Sequence, residues 1–205
     1  SAVRLTRGDV VEEEIDFSPD GRHVSFVRGR NLYVVDVDKR RERQLTRDGG
    51  GEIFNGQLDW VYQEEIFGRG NFRGYWWSPD SRRIAFLRLD ERAVPEWTDL
   101  DDLPHTPTLV RTRYPRAGEP NPVATVGIAE LTGKTTWVNL SPYPADDRLI
   151  VEAGWTPDAR RFTVQVQDRE QHWLDLLAAD PKTGASSKLL RESFGQWVES
   201  HGSPT

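Results

Sequence analysis

The sequence predicts an all-β protein made of antiparallel sheets, and three observations lead to that fold class. A motif of aromatic residue, Ser or Thr, Pro, Asp, small residue and Arg occurs three times along the chain. Each copy is followed by a short run in which apolar and polar residues alternate, as they do in a strand with one buried face. Further strand-like runs and turn signals then follow in the same order. Antiparallel units repeated in this way are typical of a β-propeller or a β-sandwich.

The composition narrows the function classes. The 205 residues carry 33 acidic and 27 basic side chains, a net charge of -6, and this balance opposes the basic surface of a nucleic-acid-binding protein. Hydrophobic residues make up 36% of the chain, which permits a core, but no apolar run approaches the roughly 20 residues that span a bilayer. Cysteine is absent, so disulfides and thiolate metal sites are excluded within this chain.

The three copies of the motif predict turns. They begin at Phe17, Trp77 and Trp155. Proline presets φ for a β-turn, and the Asp side chain can accept a hydrogen bond from the backbone two residues on. We therefore predict that the three aromatic residues occupy equivalent positions in successive blade-like repeats. These repeats are predicted near residues 15–46, 75–140 and 153–199.

The runs that follow the turns predict the strands of each repeat. In the third repeat, Phe162, Val164 and Val166 lie on one face of the predicted strand, and the polar residues between them lie on the other. Residues 180–184 predict a hairpin turn that leads into a further strand. Second strands are predicted over residues 31–37, 123–130 and 173–179.

The spacing of the motif copies predicts two insertions, because the copies lie farther apart than the roughly 40 to 50 residues of simple propeller repeats. The first insertion, near residues 52–74, contains a segment in which the spacing of Trp60, Glu64 and Phe67 suits a short helix. The second, near residues 90–122, is rich in proline and has little periodicity, so we predict an extended arm or a long loop.

Six short motifs follow one another in the middle of the chain, at residues 59–67, 75–80, 84–88, 94–95, 114–118 and 121–122. Together they resemble the dipeptidyl peptidase IV family, a group of prolyl oligopeptidase type serine peptidases, in its N-terminal β-propeller region. The resemblance implies that the chain is a fragment of such a domain. It would be a partial β-propeller of about three to four antiparallel blades of an expected eight, with a short helical insertion that carries a double-Glu motif.

The resemblance implies a substrate-binding role for Glu64 and Glu65. In the family, a double-Glu motif on a short helix holds the free amino terminus of a peptide from which an X-Pro or X-Ala dipeptide is released, and these two residues match it. The chemistry suits the role, because a terminal ammonium with a pKa of about 8 offers three donors to two carboxylates. Taken alone, adjacent Glu residues on an exposed helix usually form a solvated face. The surrounding motifs therefore favour the binding role.

No catalytic residue is assigned within this chain. The sequence contains no Gly-x-Ser-x-Gly nucleophile elbow and no alternation of strands and helices that could carry a triad. The resemblance implies that the nucleophile belongs to an α/β-hydrolase domain that this chain does not include. The four histidines lack metal-ligand spacing, and the glycine-rich residues 68–74 suit a flexible turn better than a phosphate-binding loop. We therefore predict no metal and no cofactor.

The expected partners are peptides with a free N-terminus and the missing catalytic domain, with no nucleic acid. Three blades would leave sheet edges open, so a homodimer remains an alternative. A substrate-orienting Arg of the family aligns upstream of residue 1, and no residue is assigned to that role. Family analogy favours a periplasmic or secreted bacterial protein, with the cytoplasm as the alternative. A non-catalytic β-propeller that binds proteins is the alternative function class.

The isolated 205-residue chain is expected to show no hydrolysis of a Gly-Pro or Ala-Pro chromogenic substrate, because its sequence has no nucleophile elbow. The measurement is the release of chromophore by the purified chain. Turnover that persists through further purification would contradict the assignment of the catalytic groups to another domain.

Overall fold

The computed structural model describes residues 3–200, which form three antiparallel sheets, a two-stranded ribbon and one short helix. The sheets follow one another along the chain and are called blades 1, 2 and 3. Blade 1 contains β1 (Glu13–Phe17), β2 (His23–Arg28), β3 (Asn31–Asp36) and β4 (Arg41–Gln44), in that spatial order. Its strands pair with their sequence neighbours, as in a simple meander.

Blades 2 and 3 follow blade 1 along the chain, and blade 2 has five strands where the other two have four. Blade 2 contains β5 (Ile53–Asn55), β6 (Tyr75–Trp77), β7 (Arg83–Asp90), β10 (Val123–Glu130) and β11 (Thr135–Trp137). Blade 3 contains β12 (Arg148–Trp155), β13 (Phe162–Asp168), β14 (Trp173–Ala179) and β15 (Ser186–Ser193), again as a meander. The predicted all-β architecture of antiparallel blades is confirmed.

The repeated motif forms the same turn in every blade. The hydroxyl groups of Ser18, Ser78 and Thr156 donate to the Asp two residues on, at 2.7, 2.6 and 2.7 Å. The same Asp oxygen accepts from the backbone N–H of the residue two positions further along, at 3.0, 3.2 and 3.0 Å. The turn chemistry expected of Pro followed by Asp is therefore present three times.

The aromatic residues of the motif occupy equivalent backbone positions but differ in burial. Each one, Phe17, Trp77 or Trp155, pairs with the residue seven positions later in the next strand. Trp77 is 9% exposed because blade 1 covers it, and its indole Nε1 donates to Ser25 Oγ at 2.8 Å. Phe17 is 62% exposed. The prediction of equivalent positions is confirmed, while the packing of each position depends on the neighbouring blade.

Strand β13 departs from the predicted division into a buried and an open face. The three apolar residues expected to face the core are fully buried. The polar face is buried as well, with Gln165 only 8% and Gln167 only 2% exposed. The Gln167 amide donates to the carbonyl of Val198, which lies in the segment after β15. Alternating polarity thus predicted the strand correctly but not the second covering layer.

The second insertion forms an arm, and the arm is a β-ribbon. Strands β8 (Glu96–Asp101) and β9 (Thr108–Arg113) pair as an antiparallel hairpin. Every residue of β8 and β9 is exposed or half-buried. A strand without a buried face need not alternate between apolar and polar residues. The alternation used to predict strands therefore did not identify β8 and β9. The prediction of an extended arm or a long loop is therefore refined to a paired hairpin.

Two apolar clusters join the blades. One lies between blades 1 and 2 and includes Leu32, Tyr75 and Phe86, and the other joins blades 2 and 3. A direct hydrogen bond also crosses the second junction, from the Trp155 indole Nε1 to the Trp76 carbonyl at 3.0 Å. Within residues 3–200, no helix combines the length and the apolar character needed to cross a membrane.

We predict that Gly184→Ala destabilises the junction of blades 2 and 3. Gly184 has φ +75°, and a Cβ there would lie 2.0 Å from the Trp137 carbonyl oxygen. Its own carbonyl accepts from Asn139 N at 2.8 Å, so moving the backbone away from Trp137 would disturb that hydrogen bond. Such overpacking costs about 1–3 kcal/mol, measurable as a lower midpoint of urea unfolding.

The matched control for this prediction is Gly118→Ala. Gly118 has φ +86° but no heavy atom within 4 Å of the added Cβ. It therefore shares the backbone strain without the clash. An equal loss of stability in the two variants would show that the contact with Trp137 contributes nothing.

Candidate functional site

The segment that carries the two Glu residues leaves blade 2 from the middle of a strand. Strands β5 and β6 pair with successive parts of β7, and only Leu87 separates the two paired parts. Gly56 N donates to the Leu87 carbonyl at 2.9 Å, and Leu87 N donates to the Gly74 carbonyl at 2.8 Å. Gly74 N closes the arrangement by donating to the Gly56 carbonyl at 3.0 Å. Residues 57–73 therefore leave and rejoin the strand at one point.

The close approach at this point requires glycine. Gly56 has φ +75°, a conformation that side chains disfavour. At Gly74, an added Cβ would lie 2.8 Å from Leu58 Cδ2. A larger residue would therefore be strained by its backbone conformation at Gly56 and would require the Leu58 side chain to shift at Gly74.

The excursion contains the helix predicted from the sequence. Helical structure begins at Trp60, and helix α1 (Tyr62–Ile66) has the wide turn of a π-helix, in which Phe67 N donates to the Tyr62 carbonyl at 2.8 Å. Asp59 caps its start, with Oδ1 accepting from Tyr62 N at 3.0 Å. The prediction of a short helix is confirmed, and the wider hydrogen-bonding pattern is a feature that the residue spacing did not indicate.

Buried side chains fix the orientation of α1. Tyr62 is fully buried in the cluster that joins blades 2 and 3, and its hydroxyl accepts from Ile150 N at 3.3 Å. Gln63 is 5% exposed, and its Oε1 accepts from Gly70 N at 2.9 Å. Phe67 lies against Trp76, with ring centroids 5.9 Å apart. One face of the helix is therefore anchored in the sheet.

Glu64 and Glu65 lie on the other side of this turn. The Glu64 side chain is 15% exposed, and its carboxylate pairs with the guanidinium of Arg69, whose side chain is 84% exposed. Glu65 is exposed. The two carboxylates have different neighbours, since successive residues of a helix point in directions roughly 100° apart. Their expected role in substrate binding stays a prediction.

Glu65 lines two adjoining open clefts. One cleft, of about 330 Å³, lies between α1, the base of the arm and blade 3, and includes Tyr114 and Arg169. The other, of about 340 Å³, lies toward blade 3 and includes Gln167 and Trp197. The carboxylate of Glu65 is thus placed where a bound molecule could reach it, among both polar and apolar groups.

A second pair of acids, which the sequence analysis missed, lies at the start of the helix. Asp59 is 2% and Glu91 is 6% exposed. Burial raises the pKa of Asp59 to about 6. Burial and the nearby charge of Asp59 raise the pKa of Glu91 to about 7. The two residues are distant in the sequence, so no local motif connects them.

No group of three or more His, Cys, Asp or Glu side chains in residues 3–200 is arranged to hold a metal ion. The acidic groups near α1 occur as pairs, and each pair has arginine close by, at Arg69 or Arg113.

Sequence comparisons match this chain to one family model and to related proteins. A family model described as the dipeptidyl peptidase IV (DPP IV) N-terminal region matches residues 1–205. "Dipeptidyl-aminopeptidase B" of Aspergillus niger is 31% identical over 204 residues, covering 89% of this chain and 22% of that protein. "Probable dipeptidyl-aminopeptidase B" of Talaromyces marneffei is 33% identical over 201 residues, with the same coverage.

A solved structure shows the same similarity in three dimensions. The crystal structure of Porphyromonas gingivalis dipeptidyl peptidase 4 superposes with a TM-score of 0.85 at 31% sequence identity, covering 95% of this chain and 27% of that one. The chain thus spans about 22% of the length of the curated relatives it matches.

We predict that Tyr62→Phe loosens the helix. The substitution removes the hydroxyl that accepts from Ile150 N and leaves that buried N–H without its partner, at a cost of about 1–3 kcal/mol. The measurements are the midpoint of thermal unfolding and the rate of hydrogen exchange at the Ile150 amide. Tyr114→Phe removes the hydroxyl of an exposed tyrosine and is the control. Unchanged exchange at Ile150 would refute the anchoring role of the hydroxyl.

Proposed function

The chain belongs to the dipeptidyl peptidase IV family, and from this we propose that it is the part of a dipeptidyl aminopeptidase that recognises the substrate's amino terminus. In this proposal Glu64 and Glu65 bind the terminal ammonium. A serine nucleophile in the remainder of the enzyme then cleaves after the second residue. The distance between the ammonium site and the nucleophile sets the length of the product.

The observation that carries the proposal is the contrast between the two sides of α1. The helix is fixed through buried Tyr62 and Gln63, while Glu65 faces open clefts. A rigid support is what a site needs in order to measure distance along a peptide, because positioning by a few tenths of an ångström affects the reaction. A solvated helix face that served only solubility would need no such anchoring.

The ion pair between Arg69 and Glu64 also supports the proposal. Its guanidinium already pairs with the Glu64 carboxylate, so that carboxylate accepts a cation at this position. An ion pair whose cation is this exposed contributes only about 0–1 kcal/mol. A substrate ammonium that is itself removed from water can displace it, because a charge-assisted hydrogen bond is stronger in a cleft than at an open surface. Release of Arg69 would free Glu64 to act together with Glu65.

We predict that Glu64→Ala or Glu65→Ala in the whole enzyme abolishes most dipeptidyl peptidase activity and leaves the fold intact. Losing one partner of a desolvated charge pair costs on the order of 3–5 kcal/mol, which corresponds to a roughly hundredfold to few-thousandfold loss in kcat/KM. The measurement is kcat/KM on an unblocked X-Pro chromogenic substrate. Asp38→Ala, at an exposed position after β3, is the control and should retain normal activity.

An acetylated substrate tests the same interaction from the other partner. Acetylation removes the ammonium, so it should reproduce most of the loss in the unmodified enzyme and add little in the two variants. Near-normal kcat/KM in both variants would refute the assignment. It would then favour the alternative of a propeller that binds proteins without using the two Glu residues.

A further inference from the structure

Asp59 and Glu91 meet where the helix begins and the arm departs. Asp59 precedes α1 and caps it through Oδ1. Glu91 follows β7 at the first residue of the arm, and its backbone is held on both sides. Its N–H donates to the Glu52 carbonyl at 2.9 Å, and its own carbonyl accepts from Val94 N at 2.8 Å. Two structural units thus touch through two carboxyl groups.

The contact between these carboxyl groups is incomplete without a proton. Both side chains are buried and line the same cavity, and a hydrogen bond between them contributes to the pKa of each. Asp59 Oδ2 receives no hydrogen bond from any described residue. Two ionised carboxylates in contact would repel one another and leave that oxygen unsatisfied, whereas one shared proton turns the contact into a hydrogen bond.

The neighbouring arginines do not supply a hydrogen-bond donor to Asp59 Oδ2. Arg113 is engaged by the Glu52 carboxylate at 3.1 Å and by the Val94 carbonyl at 2.6 Å. The Arg30 guanidinium lies over the Phe54 ring, 3.9 Å from its centroid. Both cations favour ionisation of Glu91 from a distance. The other charged groups that line the same cavity, of about 520 Å³, are Glu13, Glu52, Glu96 and Arg111.

We propose that Asp59 and Glu91 share one proton, and that this proton holds helix α1 against the base of the arm and so positions Glu64 and Glu65 for the substrate. The two residues are positioning residues, since neither lies in the clefts beside Glu65. A second contact at the same junction, between the rings of Trp60 and Tyr114 at 4.8 Å, limits how far the helix can move when the proton is lost. The positioning half of this inference rests on the function proposed above.

The direction of the pH dependence follows from the raised pKa of both groups. The folded protein holds the proton more tightly than the unfolded chain does, so this contribution to stability is complete at low pH. It is lost as the pH rises through the folded-state pKa of Glu91, about 7. Between pH 5.5 and 8 the junction therefore loosens.

Amide variants separate the proton from the contact. Glu91→Gln supplies a permanent N–H donor to the Asp59 carboxylate, and Asp59→Asn can keep Oδ1 as the cap on Tyr62 while its amide donates to Glu91. Both replace the shared proton with a permanent N–H donor, so the contact no longer depends on that proton. Asp38→Asn makes the same change in charge at an exposed residue after β3, away from this cavity, and is the control.

The experiment measures Tm and kcat/KM of the whole enzyme and its variants from pH 5.5 to 8, on one unblocked X-Pro substrate. Relative to Glu91→Gln and Asp59→Asn, the unmodified enzyme should lose Tm as the pH rises, and Asp38→Asn should follow the unmodified enzyme. The ratio of kcat/KM between the unmodified enzyme and Glu91→Gln should fall roughly three- to tenfold between pH 6 and 8, the size expected for one hydrogen bond. The fall should appear mainly in KM.

Two outcomes would overturn the inference. A Tm difference that does not vary with pH in either amide variant excludes the shared proton, whatever Glu64 and Glu65 do. A pH-dependent Tm difference with a constant kcat/KM ratio excludes the positioning role. Failure of the proposed function is distinguishable, because it appears in the Glu64→Ala and Glu65→Ala variants while the Tm comparison remains decisive for the proton.

Discussion

The backbone of Leu87 connects the candidate site to the sheet. Its carbonyl and its N–H each bond one end of the excursion that carries helix α1, and Gly56 and Gly74 bond each other across the gap. Strand pairing can therefore continue on both sides of the excursion as though nothing had been inserted. Because the two ends coincide, the sheet specifies where the helix emerges but not how it is oriented.

The orientation comes from side-chain packing. A helix of five residues has no stability of its own in water, since isolated helices shorter than about 12–15 residues are marginal. Two side chains stabilise the helix instead. Tyr62 packs in the cluster between blades 2 and 3, and Gln63 Oε1 accepts a hydrogen bond from Gly70 N. At the end of the wide turn, the Phe67 ring packs against Trp76 while its N–H donates to the Tyr62 carbonyl.

Burial gives two acid pairs different chemistry. Asp59 and Glu91 are removed from water, and their pKa values are raised because the charged forms lose hydration. Glu64 is half-buried and pairs with the exposed guanidinium of Arg69, whereas Glu65 is exposed and lines an open cleft. Asp59 lies about one helical turn before Glu64 and Glu65 along the same segment.

The sequence by itself determined the features that depend on neighbouring residues. Pro and Asp at fixed offsets specified three turns, period-two alternation specified the strands after them, and the spacing from Trp60 to Phe67 specified the helix. The tertiary structure alone decided the features that depend on distant residues. It determined the pairing of the exposed arm strands, the covering of Gln167, the partners of Glu64 and the meeting of Asp59 with Glu91. The physical reason is that exclusion of water and contact between charges are set by which segments come together, and no local pattern encodes that.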